Sequence, residues 1–416
     1  MKEYLEKIAS SGVDSRFNRR TLLKGAGLAA FTGIAGAGCQ KAPVSEAQRI
    51  PLVDYQSIGA RPLINCKGTY TALSGSLMLP EVKAAMMEAA NHYIPIDELM
   101  ECVGRRLAQL TGAEWGIISA GANACQFGAS CACVAGTDPE KMALLPDTRG
   151  MKNEIISPKS HRNVYDRAFL MVGTKMITVD SPGEMEAAIN DKTAMIALLG
   201  DQCDRGNVLF EDIVSIAKKH NIPVVVDAAA ERPDVPNVYL EGGADLVIYS
   251  GGKCLRGPQS SGLMLGRKDL CQAAFLNLAP HHALGRPMKC GKEEIMALLA
   301  AVDLWINGRD HEGEWQEWLQ RFDHITKEVT TIPTVKTEVT EPRSRSNYAP
   351  SLSITWDQSS VKITPAEVAK KLDEGEPRIQ MPAGRDGMRI MSYMTEPNEE
   401  IPIAKRLKEV LSAAQG

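Results

Sequence analysis

Between residues 116 and 265, seven short apolar runs alternate with stretches of helical period, and this rhythm restricts the fold more than any other feature. The runs are Gly116–Ser119, Glu154–Ser157, Met176–Val179, Met195–Leu199, Pro223–Asp227, Leu246–Ser250 and Gly262–Leu265. Each is apolar throughout its middle and bounded by polar or glycine-containing segments, as a strand covered on both faces requires. Intervening segments such as Phe210–His220 set their apolar residues on one helical face. Strands alternating with helices predict an α/β fold, with a mostly parallel sheet between two helical layers. Near Pro280 the rhythm changes. A long helical stretch, about Gly291 to Val329, leads into a smaller α+β region ending in a helix over Glu399–Ala414. The expected organisation is an N-terminal arm over residues 50–75, a large domain over 76–285, and a connecting helix with a small C-terminal domain over 286–416.

Composition narrows the function classes. The chain has 416 residues, 44% hydrophobic and 24% charged, which suffices for a large core. A formal net charge of −4 gives no pull toward nucleic acid or an anionic membrane surface. No apolar run reaches the roughly 20 residues that span a bilayer. The ten cysteines include no C-x-x-C pair, and Cys131 and Cys133 stand too close for a zinc knuckle, so no metal site is expected.

Residues 1–39 have the anatomy of an export signal. Paired Arg19-Arg20 precedes Leu22-Leu23-Lys24 and a short Gly- and Ala-rich apolar run to about Gly38. The order resembles the twin-arginine signal, a route for folded cargo. Gly36-Ala37-Gly38-Cys39 resembles a lipoprotein cleavage box, although Gly36 replaces the usual Leu. The expectation is a periplasmic or envelope protein that meets the membrane only through this signal or a lipid on Cys39.

Chemistry concentrates at the ends of two of the strands. The run Pro223–Val226 ends in Asp227, and Leu246–Ser250 leads through Gly251-Gly252 to Lys253. Parallel strands of an open α/β sheet bind ligands at their carboxyl ends, so a carboxylate and an amine reach the same crevice. A desolvated Lys there loses proton affinity and can form a Schiff base, while the Asp keeps a pyridine nitrogen protonated. That pair is the signature of pyridoxal 5′-phosphate. Upstream, Gly121-Ala122-Asn123 opens a helix after the first strand, placing free N–H groups and the helix dipole where a phosphate would sit. Ser250 would add a hydroxyl, and Arg256 a charge. His161, after the second strand, is the candidate for a ring stacked on the cofactor. Arg389 and Arg378 are candidates for a substrate carboxylate.

The run from Asp227 to Gly266, including SGGKCLRGPQSSGLMLGR, resembles the fold-type-I pyridoxal-phosphate family of selenocysteine synthase. It is similar also to that family's metabolic branch of ammonia-lyases acting on amino sugar acids. Leu63-Ile64-Asn65-Cys66-Lys67-Gly68-Thr69 looks like the family's N-terminal element, and Leu110-Thr111-Gly112-Ala113-Glu114 like its helix-to-strand junction. The resemblance implies an aspartate aminotransferase-like fold, Lys253 as Schiff-base lysine, Asp227 as pyridinium partner, and Gly121, Ala122, Asn123 and Ser250 around the phosphate. It also implies a homodimer or larger homo-oligomer. The signal occupies the place of the tRNA-binding domain of selenocysteine synthase, and the chain is not basic. A small amino-acid substrate and α,β-elimination are therefore expected, ahead of selenium transfer. The cofactor machinery does not separate elimination from transamination, aldol cleavage or racemisation. A binding protein that kept the fold without turnover would have no use for a strand-end Lys.

Overall fold

The computed structural model describes residues 53–415. Arg19, Arg20 and Cys39, on which the export reading rests, lie outside the described residues. Residues 60–416 form one compact unit, and residues 53–59 belong to a separate one, in which the Ser57 N–H donates to Asp54.

The larger unit begins with β1 (Ile64–Asn65), then helices α1 (Pro80–Ala90) and α2 (Ile96–Thr111). In α2 the buried residues Leu99, Met100, Val103, Leu107 and Leu110 recur every three or four positions, and Gly112, at φ 74°, ends the helix. Then follow β2 (Trp115–Ser119), α3 (Ala122–Val134), β3 (Glu154–Pro158), β4 (Lys175–Val179), β5 (Thr193–Leu199), α4 (Phe210–His220), β6 (Val224–Asp227), β7 (Leu246–Ser250), β8 (Gly262–Gly266) and α5 (Lys268–Leu276). The seven strands form one sheet in the order β2-β8-β7-β6-β5-β3-β4. Only β8 runs antiparallel to its neighbours. All seven lie at the positions that the apolar runs predict, because a strand covered on both faces leaves an uninterrupted apolar signal.

The second part begins with helices α6 (Lys292–Asn307) and α7 (His311–Val329). The expected single helix from about Gly291 to Val329 is thus two. Gly308 caps the first, and Asp310 caps the second by accepting from the Gly313 N–H. Residues 307–314 carry no apolar side chain, and Gly308 and Asp310 are ordinary stop and start residues, so the break has a signal that a single long helix passes over. Strands β9 (Lys336–Thr340) and β10 (Ser351–Thr355), helix α8 (Pro365–Glu374), β11 (Ile379–Gln380), β12 (Gly387–Met391) and helix α9 (Glu400–Ser412) complete the chain. A three-stranded antiparallel sheet, β12-β10-β9, shares an apolar core with α7, α8 and α9. The stretch read as an arm is partly built into this core. β1 pairs parallel with β11, and Ile64 and Cys66 are buried there.

Candidate active site

The sheet's register gathers the carboxyl ends of its parallel strands. Asp227 pairs with Leu199 on one side and Ile248 on the other, and Gly262 sits beside both Ser119 and Ser250. The loops after β6 and β7 are tied together, since the Cys254 thiol donates to the Glu231 carbonyl at 3.0 Å.

Asp227 is buried. Its carboxylate accepts from the Ala229 N–H at 3.0 Å and from Gln126 Nε2 at 2.5 Å. Burial pushes the carboxyl above its ordinary range, while the Ala229 N–H, the Lys253 ammonium and Gln126 pull it back. Lys253 is half-buried, and the same desolvation lowers its amine, against the opposing pull of Asp227. Each group thus lacks something from outside the protein: Asp227 a cationic partner, Lys253 an electrophile for an amine easily made neutral.

Gln126 was not anticipated from sequence. It is the one long polar side chain in α3, ANACQFGASCACV, whose small residues let the helix lie close on the sheet. A lone glutamine in such a helix is the signal that was available. The same helix begins at Gly121, φ 107°, with no side-chain cap, leaving the first-turn N–H groups of Ala122 and Asn123 free of intrahelical partners. A Cβ on Gly262 would lie 2.3 Å from the Gly121 carbonyl carbon, so only glycine there lets this turn reach the sheet edge. Ser250 ends β7 next to Gly262, while the Arg256 guanidinium is committed elsewhere, to Leu77 O and Glu396.

His161 is buried and faces the same small cavity as Gln126 and Asp227. The Leu199 N–H donates to its Nδ1 at 3.1 Å, which puts the ring proton on Nε2, and Nε2 has no partner. Burial lowers its pKa to about 4, so the ring is neutral. Gln126 Oε1 is likewise unpartnered. Two orphaned polar atoms beside a buried carboxylate, with an uncapped helix end at the neighbouring strand ends, fit a flat, anionic, ring-nitrogen cofactor.

The two expected carboxylate receptors lie elsewhere. Arg378 is paired with Asp373 at 2.9 Å, and Arg389 is exposed on β12, its Nε bonded to the Ser351 hydroxyl. Neither lines the larger cavity, about 310 Å³, that opens beside Ala230 and Cys254.

Comparison with known proteins agrees with this geometry. Residues 171–290 match the aminotransferase class-V family. The chain is 34% identical over 289 residues to the D-glucosaminate-6-phosphate ammonia lyase of Salmonella typhimurium, covering 67% of this chain and 75% of that protein. It is 30% identical over 379 residues to a 5′-C-glycyluridine monooxygenase-decarboxylase of a Streptomyces species, covering 86% and 92%. The chain belongs to the fold-type-I pyridoxal-phosphate enzymes of the class-V aminotransferase family. A solved structure of D-glucosaminate-6-phosphate ammonia-lyase superposes with a TM-score of 0.78 at 28% identity, covering 86% of this chain and 98% of that one. This family member is therefore a lyase or transferase whose cofactor is pyridoxal 5′-phosphate. Similarity to an L-seryl-tRNA(Sec) selenium transferase of Mannheimia succiniciproducens is 25% and spans 58% of that protein.

Proposed function

We propose that the enzyme performs α,β-elimination on a small amino acid or amino sugar acid, with Lys253 as both cofactor anchor and proton carrier. The placement of Asp227 and Lys253 at the ends of neighbouring strands, each biased by burial toward its neutral form, supports the cofactor chemistry, and the 34% identity to an ammonia lyase is what favours elimination within it. When bound, the cofactor supplies an electron sink for a bond broken at Cα. Asp227, oriented by Gln126 and the Ala229 N–H, holds the ring nitrogen. The free N–H groups of Ala122 and Asn123, the turn at Gly121 and the Ser250 hydroxyl hold the phosphate. His161 presents a neutral ring with its Nε2–H toward the cavity. Lys253, its proton affinity lowered by burial, would take the proton from Cα and hand it to the β-hydroxyl, which leaves as water when the Cβ–O bond breaks; the enamine that is released hydrolyses to ammonia and a 2-oxo acid.

Borohydride reduction and peptide mapping test the anchor: label on Lys253 supports the reading, and label elsewhere refutes it. Product analysis tests the reaction. Ammonia and a 2-oxo acid signify elimination. Release of CO₂ would favour a second reading, motivated by the match over 379 residues to a decarboxylase.

Two further elements belong to this proposal. Export by the twin-arginine route is supported by Arg19-Arg20 and the mild apolar run after it. Replacing both arginines with Lys should retain active enzyme in the cytoplasm, and an unchanged location refutes the signal. A homodimer is supported by family membership and by exposed apolar side chains at Tyr70, Leu77, Met87 and Tyr93. An active monomer in light scattering refutes it.

A further inference from the structure

The cavity beside Cys254 has walls unlike those around Asp227. Trp315 and Trp318, on α7, are half-buried yet belong to neither apolar core, and Trp315 meets Tyr348 at 5.7 Å between ring centroids. Tilted aromatic faces left open in a cavity are surface for a ring or carbon chain to lie against. At about 310 Å³ the cavity has room for roughly ten waters, ample for a six-carbon chain.

Its charges are mostly spoken for. Arg309 donates twice to Glu314 and once to Cys254 O. Arg256 donates to Glu396 at 2.6 Å, and Arg321 to Glu317 at 3.1 Å and to Thr395 O. Arg232 differs. Its guanidinium lies against two rings, 5.5 Å from the centroid of Trp305 and 5.4 Å from that of Tyr348. Its one bonded partner among the described residues is Asp234, reached through Nε at 3.2 Å, and that carboxylate is half-exposed and screened by water. Of the four arginines that line the cavity, Arg232 alone has both terminal nitrogens without a hydrogen-bond partner among the described residues, because Asp234 engages only its Nε. Two parallel N–H groups on a planar guanidinium suit a carboxylate.

We infer that this cavity is the part of the substrate site that takes the carboxylate and the side chain, and that Arg232 is its carboxylate receptor. It selects a monoanionic amino acid with an uncharged, hydroxylated chain over a phosphorylated one. One guanidinium with both terminal nitrogens free matches one carboxylate. A phosphate dianion as well would have to break an Arg–Glu pair and leave a carboxylate uncompensated in a half-buried site. Hydroxyls, by contrast, need only the spare lone pairs of the paired glutamates and the Asn347 and Tyr393 side chains. This rests on reading the chain as an enzyme that acts at Cα of an amino acid.

Tryptophan-fluorescence titration of the cofactor-loaded enzyme tests it with three probes that carry no amine: D-gluconate, 6-phospho-D-gluconate and D-glucitol. Their binding is independent of chemistry at Lys253, so failure here and failure of the elimination reading are separable. The expected result is saturable binding of gluconate, with both other probes at least tenfold weaker. Arg232→Gln should weaken gluconate on the order of 10- to 100-fold, to the level of glucitol, and Arg232→Lys should recover part of the loss. The inference is overturned if wild-type enzyme does not bind gluconate or binds the phosphorylated probe as tightly. It is overturned equally if Arg232→Gln keeps its cofactor absorbance band and binds gluconate unchanged.

Discussion

His161→Phe keeps a flat ring of similar size against the cofactor site and removes a titrating group. In the folded enzyme burial lowers the imidazole from its ordinary 6.5 to about 4, so protonation is resisted until the fold itself is under stress. The sign follows from linkage. Between about pH 6.5 and 4 the unfolded chain binds a proton at this position and the folded chain does not, so stability is fully present above 6.5 and falls as pH falls. Each pH unit in that window is worth roughly 1.4 kcal/mol, or about 3 kcal/mol across it. The Phe variant loses the Leu199 N–H···Nδ1 bond, at a cost near 1 kcal/mol that is nearly independent of pH. Urea unfolding of both proteins at pH 7.5 and pH 4 isolates the effect, because every carboxylate titrates in both. Wild type should lose about 3 kcal/mol more than the variant between the two pH values. Parallel losses would mean that His161 is solvated and charged, and the neutral Nε2–H that faces Asp227's cavity would go with it.

Other substitutions probe the remaining contacts. Asp227→Asn should retain cofactor but lower turnover by about 3 kcal/mol of barrier, more than 100-fold, in a steady-state assay; near-normal turnover would remove the role given to this carboxylate. Gly262→Ala drives a Cβ to 2.3 Å from the Gly121 carbonyl carbon, so the α3 turn must move. Cofactor affinity, read by absorbance titration, should fall at least tenfold, from loss of the phosphate-binding geometry. Gln126→Leu leaves Asp227 Oδ2 without its donor. A cost of about 1–3 kcal/mol is expected, seen as roughly tenfold weaker cofactor binding, and unchanged binding would make Gln126 a packing residue only.

The sheet was legible in the sequence because its inner strands are buried on both faces, as in Val224-Val225-Val226, although the edge strand β4 is only partly covered and includes Thr178. Asp227 and Lys253 were legible for a related reason: a charged residue at the end of an apolar strand has few structural uses. The break between α6 and α7 carries a signal that the single-helix reading passed over, since residues 307–314 lack apolar side chains and Gly308 and Asp310 cap the two helices. Arg378 and Arg389 were chosen because the resemblance puts a substrate-carboxylate arginine in that part of the C-terminal region, with Arg389 on an expected strand. Linear position says nothing about which guanidinium is already neutralised, and Asp373 holds the first. Arg232 was passed over although it stands only five positions after Asp227, since its distinction is the pair of rings it lies against. Those rings come from residues 305 and 348, far along the chain.

This division between legible and hidden residues follows the division of labour in the site. Asp227, Lys253, Gln126 and the α3 turn belong to the sheet and the helix packed on it, and they serve any reaction that needs electrons drawn from Cα. Arg232, Arg256 and Cys254 lie on loops beyond the strand ends, and their partners Trp305, Arg309, Tyr348 and Glu396 come from the later half of the chain. A lyase and a monooxygenase-decarboxylase can both resemble this chain because the first group fixes the cofactor and the second determines what is presented to it. Substitutions at Asp227 or Gln126 should therefore lower turnover of every substrate alike. Arg232→Gln should instead change the ranking of substrates by their anionic groups, measured as kcat/KM ratios across carboxylate- and phosphate-bearing amino acids. A uniform loss across that panel would place Arg232 with the cofactor machinery and not with substrate selection.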